Sequence, residues 1–173
     1  MLDSSIKFLK LLPPELAHSI TIQALKYIKF NFNNIDNQIL SQHLMGLDFP
    51  NPIGLAAGFD KNAEVIKPMF SLGFGFVEVG TVTPLPQKGN LKPRVFRLEK
   101  DNAIINSLGF NNKGSKIVKK NISKLKNTFT DNRIIGVNLG KNKNSRNAID
   151  DYLLGIEQLG NLASYITINI SSP

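Results

Sequence analysis

The chain has 173 residues, 21 Lys and Arg against 13 Asp and Glu for a net charge of +8, 42% apolar residues, and neither Cys nor Trp. That length and composition suit one ordinary globular domain rather than a collagenous or disordered chain. Without Cys there is no disulfide framework, thiolate metal site or thiol nucleophile.

In chain order, the first segment, Leu2 to about Asn33, is expected to form two helices separated at Pro13-Pro14, with Pro14 in a first-turn position. Leu16, Ile20, Leu25 and Ile28 recur near helical spacing and mark the second helix. The preceding piece, with Ile6, Phe8, Leu9, Leu11 and Leu12, is too apolar to stand alone in water; the body of the protein, a partner or a membrane surface would cover it. No apolar run reaches the roughly 20 residues that span a bilayer. Asp3, Lys7 and Lys10 argue against a signal peptide, so the default expectation is a soluble cytoplasmic protein. The polar stretch Asn31 to Gln42 reads as a linker, giving an organisation of 1–33, 34–42 and 43–173.

Beyond His43 the pattern changes. Short β-branched or aromatic runs, Ile53–Ala57, Phe76–Gly80, Ile134–Leu139 and Tyr165–Ile170, alternate with helical patterns near Ala63–Leu72, Lys113–Lys126 and Ala148–Leu162. Strand, helix and strand in series predict parallel pairing through crossover helices, with strands apolar on both faces. Pro68 begins or kinks the first of those helices. The long connection from Thr81 to Asn111 carries a hairpin, Arg94–Leu98 with Ala103–Ile105; connections of that length tend to be functional. Four such units suggest the N-terminal half of a (β/α)8 barrel, which needs about 250 residues when whole.

Two phosphate-like signatures fail. Gly136-Val-Asn-Leu-Gly140-Lys141 is one residue short of a P-loop and is followed by Asn142 rather than Ser or Thr. Gly73-Phe-Gly75 lacks a third glycine and precedes a strand. Both read as turns. His18 and His43 lack carboxylates at ligand spacing, so no metal site is expected. The positive charge is mostly Lys (17 of 21) in a chain also rich in Asn and Ile, a mixture that an A+T-biased gene yields without a polyanion. Lys116, Lys119, Lys120 and Lys124 carry no interleaved aromatics, so nucleic acid is not an expected partner.

Polar residues gather just after the strand ends: Gly58, Asp60 and Lys61; Thr81; Asn138 and Lys141; Asn169, Ser171 and Ser172. In a parallel barrel the chemistry sits on that face, although any one of these residues alone is more simply a loop or cap residue. A strand-end amide both donates to and accepts from a planar heterocycle, and Lys61 is suited to place positive charge beside the pyrimidine edge of a flavin.

Five ordered blocks carry a resemblance: Gly54-Leu-Ala-Ala-Gly-Phe-Asp-Lys61, Gly73-Phe-Gly-Phe-Val-Glu-Val-Gly-Thr-Val-Thr-Pro84, Asn106-Ser-Leu-Gly-Phe-Asn-Asn112, Gly136-Val-Asn-Leu-Gly-Lys-Asn142 and Asn169-Ile-Ser-Ser-Pro173. With Pro93-Arg94-Val-Phe-Arg97 and the N-terminal helices, they resemble the quinone-dependent (class 2) dihydroorotate dehydrogenases. The resemblance implies an FMN-dependent barrel that oxidises dihydroorotate to orotate in pyrimidine synthesis and passes electrons to quinone. It implies flavin contacts at Ala57, Gly58, Phe59, Asp60, Lys61, Thr81, Asn138 and Asn169. Substrate contacts are implied at Lys61, Asn106, Ser107, Leu108, Gly109, Phe110 and Asn169, with Ser172 as the catalytic base. Where the soluble class has Cys this chain has Ser172, in keeping with N-terminal helices that rest on the cytoplasmic face of the membrane and frame a quinone tunnel. The family's second half-barrel, with its phosphate loops, has no counterpart in these residues. This chain alone is therefore expected neither to close a barrel nor to hold FMN tightly, and a non-catalytic truncated or split-gene product is the alternative reading.

Overall fold

β-branched runs bounded by Gly and Asn form strands, and the amphipathic runs between them form helices, in the computed structural model, which describes residues 2–27, 38–125 and 133–171. The elements are α1 (Leu2–Leu11), α2 (Pro14–Tyr27), β1 (Gln42–Leu44), β2 (Leu47–Phe49), β3 (Gly54–Leu55), α3 (Ile66–Ser71), β4 (Phe76–Val82), β5 (Val95–Leu98), β6 (Ala103–Asn106), α4 (Ser115–Ser123), β7 (Ile134–Leu139), α5 (Ala148–Leu159) and β8 (Tyr165–Ile168). Strands β3, β4, β7 and β8 form one four-stranded sheet in that order, every pair parallel. The architecture is thus mixed α/β around a parallel sheet, with α3, the β5–β6 hairpin plus α4, and α5 on the three connections.

One face of the sheet makes the core. Val77, Val79, Val82, Val137 and Leu139 pack with Ile66, Met69 and Phe70 of α3, Val118 and Ile122 of α4, and Leu159 of α5. Each such side chain stabilises by about 1.5–3 kcal/mol when fully buried. The opposite face is polar, with Glu78 accepting from Tyr165, Thr167 and Asn138. Gly136 stands mid-strand rather than in a turn, because a Cβ there would collide with the Tyr165 ring.

Local chemistry sets the element ends. Pro68 is the third residue of α3, within the first turn, where its missing N–H costs no helical hydrogen bond. That helix is shorter than its sequence pattern because the Asp60 carboxylate binds the Glu64 and Val65 amides and holds the chain in a turn ahead of it. Helix α5 starts at an Asn147 cap that accepts from the Ile149 amide, followed by Asp150 and Asp151 in the first turn.

The structure selects among the apolar residues of α2 and moves one boundary. The buried residues of α2 are Ala17, Ile22 and Leu25, whereas Leu16 and Ile20 face outward; Ile28 lies outside the described residues. The docked face carries polar anchors, Glu15 to Arg94, His18 to the Phe59 carbonyl and Lys26 to Glu64, so apolar spacing alone does not pick out that face. Gln42, assigned to the linker, begins β1 and pairs with Phe49 across a hairpin whose turn residues, Met45 and Gly46, both have positive φ. A Met-Gly turn lacks the Asn-Gly signal by which such hairpins are recognised from sequence.

Candidate active site

The C-terminal ends of β4, β7 and β8 converge on one polar network. Between Val79 and Val82 the β4–β7 register shifts, so that Val82 joins the core while Thr81 turns to the same face as Asn138. A bulge at a strand end re-aims a side chain in this way. Thr81 Oγ1 donates to Asn138 Oδ1 at 2.7 Å, and Asn169 Nδ2 donates to Thr81 Oγ1 (2.9 Å) and Asn138 Oδ1 (3.1 Å). Asn138 Nδ2 donates to Glu78 Oε1 at 2.9 Å, and the other carboxylate oxygen accepts from Tyr165 and Thr167. Burial, with Glu78 alongside, pushes the Tyr165 phenol up, so it stays a donor at neutral pH. Glu78 therefore orients the Asn138 amide, with its carbonyl toward Thr81 and Asn169.

Beside this network lies a cavity of about 490 Å³, lined by Ala57, Gly58, Lys61 and Thr81 from the strand ends and by the 106–111 segment, Asn90 and Ser171. That volume falls within the range of small-molecule sites. Gly58 takes φ +112°, and a Cβ built there would meet nothing within 4 Å, so the backbone is bare at the cavity wall. Its amide donates to the Gly80 carbonyl at 2.8 Å, and its carbonyl accepts from Lys61 Nζ at 2.6 Å. Burial pushes the Lys61 ammonium below its ordinary value, opposed by the nearby Glu15 and Asp60 carboxylates. Asn111, also on the wall, has its Oδ1 buried without a hydrogen-bond partner.

The residues singled out in the sequence divide into three groups. Ala57, Gly58, Lys61, Thr81, Asn106, Ser107, Leu108, Gly109 and Phe110 share the cavity, and Asn138 and Asn169 join it through Thr81. Phe59 and Asp60 point elsewhere. The Phe59 ring stands edge-on to His18 of α2 at 5.4 Å, and the Asp60 carboxylate is spent capping the turn before α3, so their side chains do not face the cavity. Ser172 lies outside the described residues. Sequence reasoning assigned no role to Glu78, Asn90 or Asn111; for Glu78 the signal was a lone charge inside the apolar run Phe76–Val82. No cluster of metal-ligating side chains occurs among the described residues.

Residues 39–173 match the sequence profile of the family described as dihydroorotate dehydrogenase. The chain belongs to the dihydroorotate dehydrogenase family. Similar relatives are named dihydroorotate dehydrogenase (quinone): one from Bradyrhizobium sp. (strain ORS 278) is 49% identical over 169 residues, covering 98% of this chain and 46% of the relative. One from Novosphingobium aromaticivorans is 51% identical over 164 residues, covering 94% of this chain and 47% of the relative. A crystal structure of DHODH from Eimeria tenella in complex with ferulenol superposes with a TM-score of 0.85 at 47% identity, covering 92% of this chain and 44% of that one. The chain thus spans about half the length of the dihydroorotate dehydrogenases it matches, and its likeness is to the N-terminal part of the quinone-dependent class.

Proposed function

We propose that the chain is the part of a quinone-dependent dihydroorotate dehydrogenase that supplies four βα units of a (β/α)8 barrel and much of its substrate and flavin site. Residues 1–33 would form a helical segment toward membrane and quinone, 34–41 a connection, and the chain from Gln42 on the barrel part. The observation that carries this reading is the convergence of Lys61, the 106–110 segment and the Thr81–Asn138–Asn169 network on one cavity at the C-terminal ends of parallel strands. Chemistry gathers at that end in parallel barrels.

The residues fit FMN. Bare backbone at Gly58 admits a flat ring, the unpartnered Asn111 Oδ1 suits a ring N–H, and Thr81, Asn138 and Asn169 offer donors and acceptors at the strand ends. FMN, when bound, supplies the acceptor for the hydride that leaves dihydroorotate. Lys61 would place its ammonium beside the anionic edge of substrate or ring, and burial strengthens that attraction. Asn106 and Asn169 would hold the substrate's amide edges, and the backbone of Ser107 to Phe110 would close over it. Ser172 would take the C5 proton, with a water or a neighbouring polar group relaying it, since a serine hydroxyl is a weak base alone. Phe59 and Asp60 would act through the backbone: the Gly80 amide already donates to the Asp60 carbonyl at 3.2 Å.

Exposed Phe8, Leu11, Leu16, Ile20 and Tyr27 on α1 and α2 support a peripheral seat on the cytoplasmic face of a membrane, where quinone is available. No helix among the described residues is long and apolar enough to cross one. The test is dihydroorotate-dependent reduction of a quinone analogue by the FMN-loaded enzyme in which these residues are joined to the remaining half of the barrel. Orotate should form, and Ser172→Ala should lower turnover by about 10²–10⁴. Absence of orotate from FMN-loaded protein would refute the reading.

A further inference from the structure

Arg94 is the one buried basic side chain among the described residues, with 5% of its surface exposed, and every edge of its guanidinium is used. Nε and Nη2 donate to the Glu15 carboxylate of α2 at 2.7–3.2 Å. Nη1 donates to the carbonyls of Lys88 (2.7 Å), Asn90 (2.8 Å) and Leu108 (3.5 Å). Those carbonyls belong to two strands of chain that are laced together on the cavity side. The Asn90 amide donates to Leu108 O, Asn90 Nδ2 to Ser107 O, and the Ser107 amide to Arg94 O. A planar fork of five donors can serve a carboxylate on one edge and carbonyls on the other; an ammonium cannot hold both geometries.

We propose that Glu15 and Arg94 form a latch through which the seating of α2 sets the shape of the 106–110 segment, so that Arg94 is a positioning residue for dihydroorotate. The inference rests on the proposed function for the identity of the ligand, but the latch itself is a property of these contacts. Three carbonyl contacts neutralise no charge, so Arg94 stays buried only while Glu15 balances it. The Arg94 hydrogen bond in turn holds the Glu15 carboxyl below its ordinary value against the opposing effect of burial. Without Glu15 the guanidinium would turn to solvent and release Lys88, Asn90 and Leu108 together. Lys92 offers no substitute tie, since it lies 3.7 Å from Glu15 with an exposed side chain and no bond to the loop.

The decisive variant is Glu15→Ala in the FMN-loaded protein, because Glu15 itself touches no residue of the 106–110 segment by hydrogen bond. The Michaelis constant for dihydroorotate should rise about tenfold, the loss of a charge-assisted contact at the loop, while that for the quinone analogue stays within about twofold. Glu15→Gln, which keeps an acceptor but not the charge, should fall between, and Lys92→Ala should match the parent. An unchanged dihydroorotate constant in Glu15→Ala, or a rise confined to the quinone constant, would overturn the latch and leave a plain helix anchor. Hydrogen exchange supplies a readout independent of turnover: the Asn90 and Ser107 amides should exchange faster in Glu15→Ala while Val77 and Val137 in the sheet do not. Exchange unchanged at Asn90 and Ser107 overturns the proposal; accelerated exchange in a protein that makes no orotate supports the latch and refutes only the assigned substrate.

Discussion

The four-stranded sheet and the N-terminal helix pair are held by different balances of apolar burial and polar ties. In the sheet, Val77, Val79 and Val137 are wholly buried and the adhesion is apolar. Helices α1 and α2 turn much of their apolar surface outward, with Leu11 83% exposed; Ile22 and Leu25 of α2 join the core, and polar ties carry the rest of the attachment. Arg97 donates to the Leu9, Lys10 and Leu12 carbonyls at the end of α1, while Glu15, His18 and Lys26 anchor α2. Apolar burial is indifferent to pH and tolerant of direction, whereas ion pairs and carbonyl contacts fix geometry and answer to charge. The body is therefore built for stability. The helix pair is built to be registered on that body while keeping an apolar face for something else.

The largest contrast should come from Leu139→Ala, which empties a core position at 1% exposure and should cost about 2–5 kcal/mol of global stability, read by denaturant unfolding. A loss below that range would mean the sheet core is not the seat of stability. Acid should act next, and chiefly on α2. Burial holds His18 below its ordinary 6.5, with the Phe59 carbonyl contact pulling the other way. The stability carried by its neutral ring is whole above pH 6.5 and lost as pH falls through the lowered value. Burial raises the Glu64 carboxyl, but hydrogen bonds from Lys26, Lys113 and Asn62 outweigh it and set it at about 2 instead of 4.5. Its contribution, present above pH 4.5, is lost as pH falls toward 2. Proteolysis at the α2 junction should therefore rise in two steps, the second on the order of 1–2 kcal/mol after solvent screening. Glu64→Gln should remove that second step. The smallest effect on stability should be that of Leu11→Ser, within about 0.5 kcal/mol. Binding to vesicles with anionic lipid should nonetheless weaken about tenfold through lost apolar contact. Unaltered sedimentation with vesicles would remove Leu11 from the proposed membrane face.

Much of this was legible in the chain. Runs such as Ile134–Leu139 announce buried strands because apolar β-branched residues on both faces leave few alternatives, and the polar punctuation at Lys61, Thr81, Asn138 and Asn169 follows the four strands of the parallel sheet. The site was harder where its chemistry is carried by orientation. Asp60 looked like Lys61 in the same motif, yet its carboxylate is consumed by two hydrogen bonds from the Glu64 and Val65 amides, four and five residues on, while Lys61 reaches the cavity. Glu78 gave a visible anomaly, but its three partners lie 60 to 89 residues away, beyond any local pattern.

What the amino-acid order determined is the succession of parallel βα units and the polar set at their ends, since periodicity, turn residues and short-range capping are local properties that each segment carries with it. Only the tertiary structure decided which face of α2 docks, that Thr81 joins Asn138 through a register shift, and that Arg94 finds Glu15 from 79 residues away. Those choices depend on charges and hydrogen bonds meeting across the fold, where a single contact outweighs the apolar pattern of the segment that makes it.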